Sequence, residues 1–113
     1  MLAGISDYAT ATHAAAVITL LAPPTGYANV LTSVAWSYSG GTPSGGSIKI
    51  EDGSGNVVLF EDITAAGSVT FDPPKRFTAA TATIIMLADA GSGIVGKVSL
   101  IGKYANTLTG MTT

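Results

Sequence analysis

Apolar and polar residues alternate most cleanly over residues 30–38. Val30, Thr32, Val34, Trp36 and Tyr38 fall on one side, and Leu31, Ser33, Ala35 and Ser37 on the other. A period of two is that of a half-buried β-strand, and Trp36 is expected at the centre of the core. Residues 47–51 and 57–61 repeat the pattern around Asp52-Gly53-Ser54-Gly55-Asn56. That spacer accepts positive φ and predicts a β-hairpin, with Ile48, Ile50, Val58 and Phe60 as candidates for one buried face. Residues 81–87 end in Ile84-Ile85-Met86-Leu87, which does not alternate. An unbroken apolar run of that length is a strand covered on both sides or placed at an interface.

Three further strands complete the pattern. Residues 12–22 carry Val17, Ile18, Leu20 and Leu21 and stop at Pro23-Pro24, although Ala14-Ala15-Ala16 also permits a helical turn. Residues 63–71 hold a strand broken near Gly67, and residues 94–104 hold the last, with Val95, Val98, Leu100 and Ile101. Turn signals stand at Pro23 to Gly26, at SGGTPSGG (39–46), at Asp72-Pro73-Pro74-Lys75-Arg76 and at 88–93. Seven or eight short strands at this spacing, without a helix, predict an all-β, single-domain antiparallel β-sandwich of jelly-roll-like form. The expected organisation is an N-terminal arm (1–11), a sandwich (12–104) and a C-terminal tail (105–113). The arm and tail are assigned from their small and polar residues.

Composition changes this picture at the surface. Of 113 residues only 11% are charged, and the net charge is −2; an average soluble domain carries about 25%. A small domain with so few charges is expected to bury part of its exterior against copies of itself or another protein. The charge offers no footprint for nucleic acid. No run reaches the length of a membrane span. No basic n-region precedes the apolar stretch at 14–22, so no signal peptide is expected. No Cys and a single His exclude a disulfide framework, a thiolate metal site and a cysteine nucleophile, and make a His-based relay at His13 a poor expectation.

Motifs with chemical overtones are weak. Gly91-Ser92-Gly93-Ile94-Val95-Gly96-Lys97-Val98 satisfies GxGxxG and GxxxxGK. However, Val98 lacks the metal-binding hydroxyl, and the residues after it are strand-like, where a phosphate cradle needs a helix. A turn is expected there. Asp52 to Asn56 imitates the start of a calcium loop, but Val57 and Ile63 stand where Gly and Glu are required. A hairpin turn is favoured over a weak cation contact from Asp52, Asn56 and Asp62. The pairs Glu51-Asp52 and Glu61-Asp62 are expected to close strand ends with solvated charge, not to act as the acid and base of a hydrolase. Lys75 and Arg76 after Pro73-Pro74, beside Phe77, form either an ordinary surface loop or a docking loop. No enzyme activity and no cofactor or metal are expected.

The stretch SVAWSYSGGTPSGGSIKIEDGSGNVVLFEDITAAG, a diproline turn, TATIIMLA and GIVGKVSLIGKY together resemble small β-sandwich virion proteins of tailed bacteriophages. These are head decoration or cement proteins and related fibre-knob domains. The resemblance covers residues 30–104. It implies a structural virion protein, made in the host cytoplasm, that binds the outside of the phage head as an oligomer and stabilises the shell. Its partners would be itself, as a homotrimer, and the major capsid protein. The candidate contacts are Leu2, Ile5 and Tyr8 in the arm, Pro73, Pro74, Lys75, Arg76 and Phe77 in the diproline turn, and Ile84 and Met86, with Leu100 beside them at a three-fold axis. The alternative is a receptor- or glycan-binding knob of a head or tail fibre that uses Trp36, Tyr27 or Tyr38.

Overall fold

A computed structural model describes residues 4–21, 23, 26–52, 56–63, 65–77 and 82–106. Eight strands follow one another: β1 (Gly4–Thr12), β2 (Ala16–Leu20), β3 (Tyr27–Ser39), β4 (Ser47–Asp52), β5 (Val57–Asp62), β6 (Gly67–Arg76), β7 (Thr83–Leu87) and β8 (Val95–Asn106). They form two four-stranded antiparallel sheets, sheet A in the order β1-β8-β3-β6 and sheet B in the order β2-β7-β4-β5. β1 pairs with β8, β2 with β7, β3 with β6 and β4 with β5. The chain is thus one long hairpin, closed at the β4–β5 turn and rolled so that its halves alternate between the sheets. This is the jelly-roll order of an all-β sandwich.

The core lies between the sheets. Sheet B contributes Ala16, Ile18, Ile48, Ile50, Ile85 and Leu87; sheet A contributes Leu31, Val34, Val98 and Leu100. In sheet B, Ile18, Ile85, Ile50 and Leu59 stand side by side across the four strands. This row of β-branched and γ-branched side chains fills the pleat and excludes water.

Several segments differ from the sequence expectation. Over its described part the expected arm is strand β1, paired with β8 from Gly4↔Lys103 to Thr12↔Val95. Ile5, Ala9 and Ala11 pack on the core, and this burial turns a weakly patterned segment into a strand. The tail is strand up to Asn106. Residues 14–16 form no helical turn, since β2 starts at Ala16.

The alternation in β3 does not run through. The register shifts between Leu31 and Ser33, so Leu31 and Val34 both enter the core. A bulge carries one extra residue and flips the face beyond it. Beyond the shift Val34, Trp36 and Tyr38 share the inner side, and Trp36 sits at the margin of the core, half-buried, with its indole N–H donating to the Ala65 carbonyl at 3.2 Å. A second shift between Ile50 and Glu51 sets Lys49 opposite Phe60, which turns outward, while Val58 and Leu59 lean on the core.

The diproline segment is strand. Asp72, Pro73, Pro74, Lys75 and Arg76 complete β6, with a cis peptide bond at Asp72-Pro73. Between the pairs Ser33↔Thr70 and Leu31↔Lys75, β6 carries more residues than β3, and the excess bulges out. Two prolines are tolerated because β6 is an edge strand, where a missing N–H breaks no second ladder. Phe77 follows it into the core, its N–H donating to the Asn29 carbonyl. It is a core side chain, not an exposed anchor.

Candidate interaction surfaces

Cross-strand neighbours share a face, so the registers define what each sheet shows to solvent. On sheet B the first outward row is Val17, Met86, Lys49 and Phe60, and the second is Thr19, Ile84, Glu51 and Val57. Val17, Val57 and Phe60 are exposed, Phe60 by 62%, while Ile84 and Met86 are half-buried between their neighbours. β7 is therefore apolar on both sides. Its inner residues Ile85 and Leu87 fill the core, and its outer residues Ile84 and Met86 form the middle of an open apolar face. The charges within these two rows are Lys49 and Glu51, with Nζ and Oε2 at 3.6 Å. Lys49 Nζ also lies 5.6 Å from the centre of the Phe60 ring, a cation–π placement.

The outward face of sheet A has another character. Ser33, Ser37, Ser68, Ser99, Thr10 and Thr70 alternate with the buried positions of the same strands. Tyr8 stands on this face, 75% exposed, with Ile101 in the next row. A shallow groove of about 540 Å³ runs beside Tyr8, lined by Thr10, Ala35, Ser37, Lys97 and Ser99. β1 is one of the two edges of this sheet. The Asp7 carboxylate accepts the backbone N–H of Tyr8 at 2.8 Å, and a charge on an edge strand discourages indiscriminate pairing.

The third surface is the end where the β1–β2, β3–β4 and β7–β8 connections meet. His13 holds φ at 51°, donates its backbone N–H to the Ile94 carbonyl, and sets Nδ1 at 3.2 Å from the Asp89 carboxylate. Sequence alone offered His13 no partner; Asp89 is 76 positions away and only the fold brings it close. The Gly91 backbone N–H, donated to Asp89 at 2.9 Å, is the main reason that carboxyl is held below its usual range, and the His13 hydrogen bond and charge add to it. Tyr38 donates its hydroxyl to the Ala88 carbonyl at 3.2 Å. Burial, and then the Asp89 charge, push its phenol above the usual value.

The candidate contacts of the sequence do not converge on one place. Ile5 points to the core side and Tyr8 to the outside of sheet A; Pro73, Pro74, Lys75 and Arg76 lie along the opposite edge of the same sheet; Ile84 and Met86 lie on sheet B. Leu2 falls outside the described residues. Leu100 is buried between the sheets and reaches no outer surface. Val17, Lys49, Val57 and Phe60 are not among the contact candidates of the sequence, and Phe60 is a core candidate there; their outward placement depends on the β4–β5 bulge and the β2–β7 pairing.

The remaining motifs resolve into structure. Gly91 and Gly93 take φ of 131° and 74° in the β7–β8 turn, and the strand starting at Val95 follows directly, so no helix N-terminus faces a phosphate. Asp52 is buried, unlike the solvated strand-end charge expected of it. Its carboxylate accepts the N–H and the side-chain amide of Asn56, each at 3.0 Å, and clamps the hairpin. Glu61 and Asp62 are exposed. The turn residues 53–55 lie outside the described residues. Among the described residues no three His, Cys, Asp or Glu side chains come together as a metal cluster.

No family model and no curated protein matches the chain. Among solved structures, one titled as the crystal structure of FLHE aligns with 91% of this chain and 98% of its own, at 15% identity and a TM-score of 0.41.

Proposed function

We propose that this chain is a structural virion protein, a decoration or cement protein that attaches to the outside of a phage head and reinforces it. One observation carries the reading: both outer faces of a rigid, sparingly charged sandwich carry large exposed apolar side chains, Tyr8 and Ile101 on sheet A and Val17, Val57 and Phe60 on sheet B. A plate with two such faces can bridge a shell and a further subunit, and apolar patches on small domains mark interaction sites. The Tyr8 face is assigned to the shell. Its groove, mostly apolar and edged by the hydroxyls of Thr10, Ser37 and Ser99, suits a contact of modest area repeated over a lattice. Attachment to the assembled shell alone stabilises that shell by mass action, and multivalency adds to it. The partner is the major capsid protein, and no cofactor takes part.

The knob reading is less well supported by the aromatic residues. Trp36 and Tyr38 each spend their polar atom on a backbone carbonyl and lie half-buried, which leaves little ring face for a sugar.

The test is co-sedimentation of the purified protein with phage heads assembled without it. The wild-type chain is expected to pellet with the heads and to raise the temperature at which they release DNA. Tyr8→Ser is expected to weaken attachment about tenfold, the order seen when an aromatic anchor is lost from an interface, with the melting curve of the free protein unchanged. Failure of the wild-type chain to bind heads at any concentration overturns the proposal. Deleting residues 1–11 is a poor substitute, because it removes β1 and uncovers the edge of β8.

A further inference from the structure

The outer face of sheet B has a pattern that is its own complement. Its two rows read Val17, Met86, Lys49, Phe60 and Thr19, Ile84, Glu51, Val57 across the same four strands. Each strand contributes one residue to each row. The third strand, β4, contributes the cation to one row and the anion to the other, with Ile50 between them turned into the core.

We infer that this face binds a second copy of the chain, across a two-fold axis that lies between the stacked faces, perpendicular to the strands and midway between the rows. That operation keeps each strand above its own counterpart and exchanges the rows. Met86 then meets Ile84 of the second copy, Phe60 meets Val57, Val17 meets Thr19, and Lys49 meets Glu51. Every apolar residue faces an apolar or methyl-bearing one. The two ion pairs become a square of alternating charge, because Lys49 of each copy lies between its own Glu51 and that of the other. An isologous contact requires just this self-complementarity.

Charge decides between this axis and the other in-plane choice. A two-fold axis parallel to the strands would place Lys49 on Met86 and Glu51 on Ile84, leaving four charges against aliphatic carbon. Each charge would then keep only the partner in its own chain, and desolvating these pairs against aliphatic carbon, with no second partner, disfavours that axis. Charge also selects the occupant. The two rows carry no net charge and offer one sign per row at the spacing of alternate residues in a strand. A second copy supplies the matching opposite arrangement without any further requirement. The β7 run also gains a physical cause, since a strand apolar on both sides is a strand covered on both sides. Face-to-face sheets stack about 10 Å apart, which the side chains of these rows can fill.

The inference stands whether or not the chain binds a phage head, and its test is separate. Sedimentation equilibrium over a wide concentration range is expected to show a dimer of twice 11.3 kDa that dissociates on dilution. Lys49→Glu and Glu51→Lys each set like charges across the axis. Each alone is expected to raise the dissociation constant about tenfold or more, the order of a like-charge clash at an interface. An equimolar mixture of the two variants restores opposite charges at both positions and is expected to form a heterodimer more tightly than either variant pairs with itself. Phe60→Ser, at an exposed position, is expected to weaken the dimer while leaving the circular dichroism melt of the monomer in place. A wild-type chain that stays monomeric at millimolar concentration overturns the inference. So does a mixture that associates no better than its components, or an assembly that Phe60→Ser leaves untouched.

Discussion

The two outer faces of this sandwich are each made by four antiparallel strands, yet one is largely a carpet of Ser and Thr and the other a field of Val, Ile, Met and Phe. In sheet A the outward positions of β3 and β8 hold Ser33, Ala35, Ser37, Lys97 and Ser99, while Val34, Val98 and Leu100 point inward. In sheet B the outward positions of β7 hold Ile84 and Met86, as apolar as Ile85 and Leu87 behind them. The difference separates a face that is apolar throughout from one that is apolar only around Tyr8 and Ile101. A strand with one apolar side has one neighbour, and a strand with two has two. The architecture is indifferent to which sheet is which; side-chain parity alone decides which outer face is apolar throughout.

The sharpest way to break this comparison lies within β7. Ile85→Ala is expected to cost about 2–5 kcal/mol in urea unfolding, because it opens a cavity between Ile18 and Ile50. Ile84→Ala, one residue away on the outer face, is expected to cost about 1 kcal/mol or less at concentrations where the chain is monomeric. Equal losses would mean that the outer face is already sealed within a single chain. A smaller effect is expected in sheet A. Gly102 passes so close to β3 that an added methyl group would land on the Val30 carbonyl oxygen. Gly102→Ala is therefore expected to cost about 1–3 kcal/mol by forcing the two central strands apart, measured by the same unfolding curves. An unchanged midpoint would show that β3 and β8 have slack at Gly102.

The smallest effect belongs to the loop end that joins the two sheets. Asp89 has its folded-state pKa depressed, so the unfolded state takes up its proton first as pH falls. The stability it contributes is present at neutral pH, above the unfolded value near 3.8, and fades as pH falls through the lower folded value. Asp89→Asn should lower the melting temperature slightly at pH 6, and the gap to wild type should close towards pH 3. A gap that persists at pH 3 would assign the loss to the Gly91 hydrogen bond alone, without the carboxylate charge.

Much of the fold could be read from spacing. The strand at 30–38, the hairpin at 47–61 and the double-sided run before Leu87 all appear where periodicity and turn residues put them. What misled was register. Phe60 was expected beside Ile48 and Ile50 because strict alternation continues through the turn, but the bulge after Ile50 moves Phe60 to the outer face. The Pro-Pro pair at 73–74 was expected as a turn because proline commonly makes one; as part of an edge strand it needs only a missing neighbour, and a missing neighbour is not written locally. β1 carried little signal because Ile5, Ala9 and Ala11 are small anchors whose value depends on β8 lying alongside.

The sequence by itself determined most of the strands, the alternation within them and the shortage of charge, since these follow from the side-chain period and from what each residue loses or gains on leaving water. Only the tertiary structure decided which strands share a sheet, where the bulges reset the parity, and that Lys49 and Glu51 stand centrally on an open apolar face. Those features depend on pairings between residues far apart in the chain, and hydrogen bonds along a β-ladder carry no mark of their partner in the local sequence.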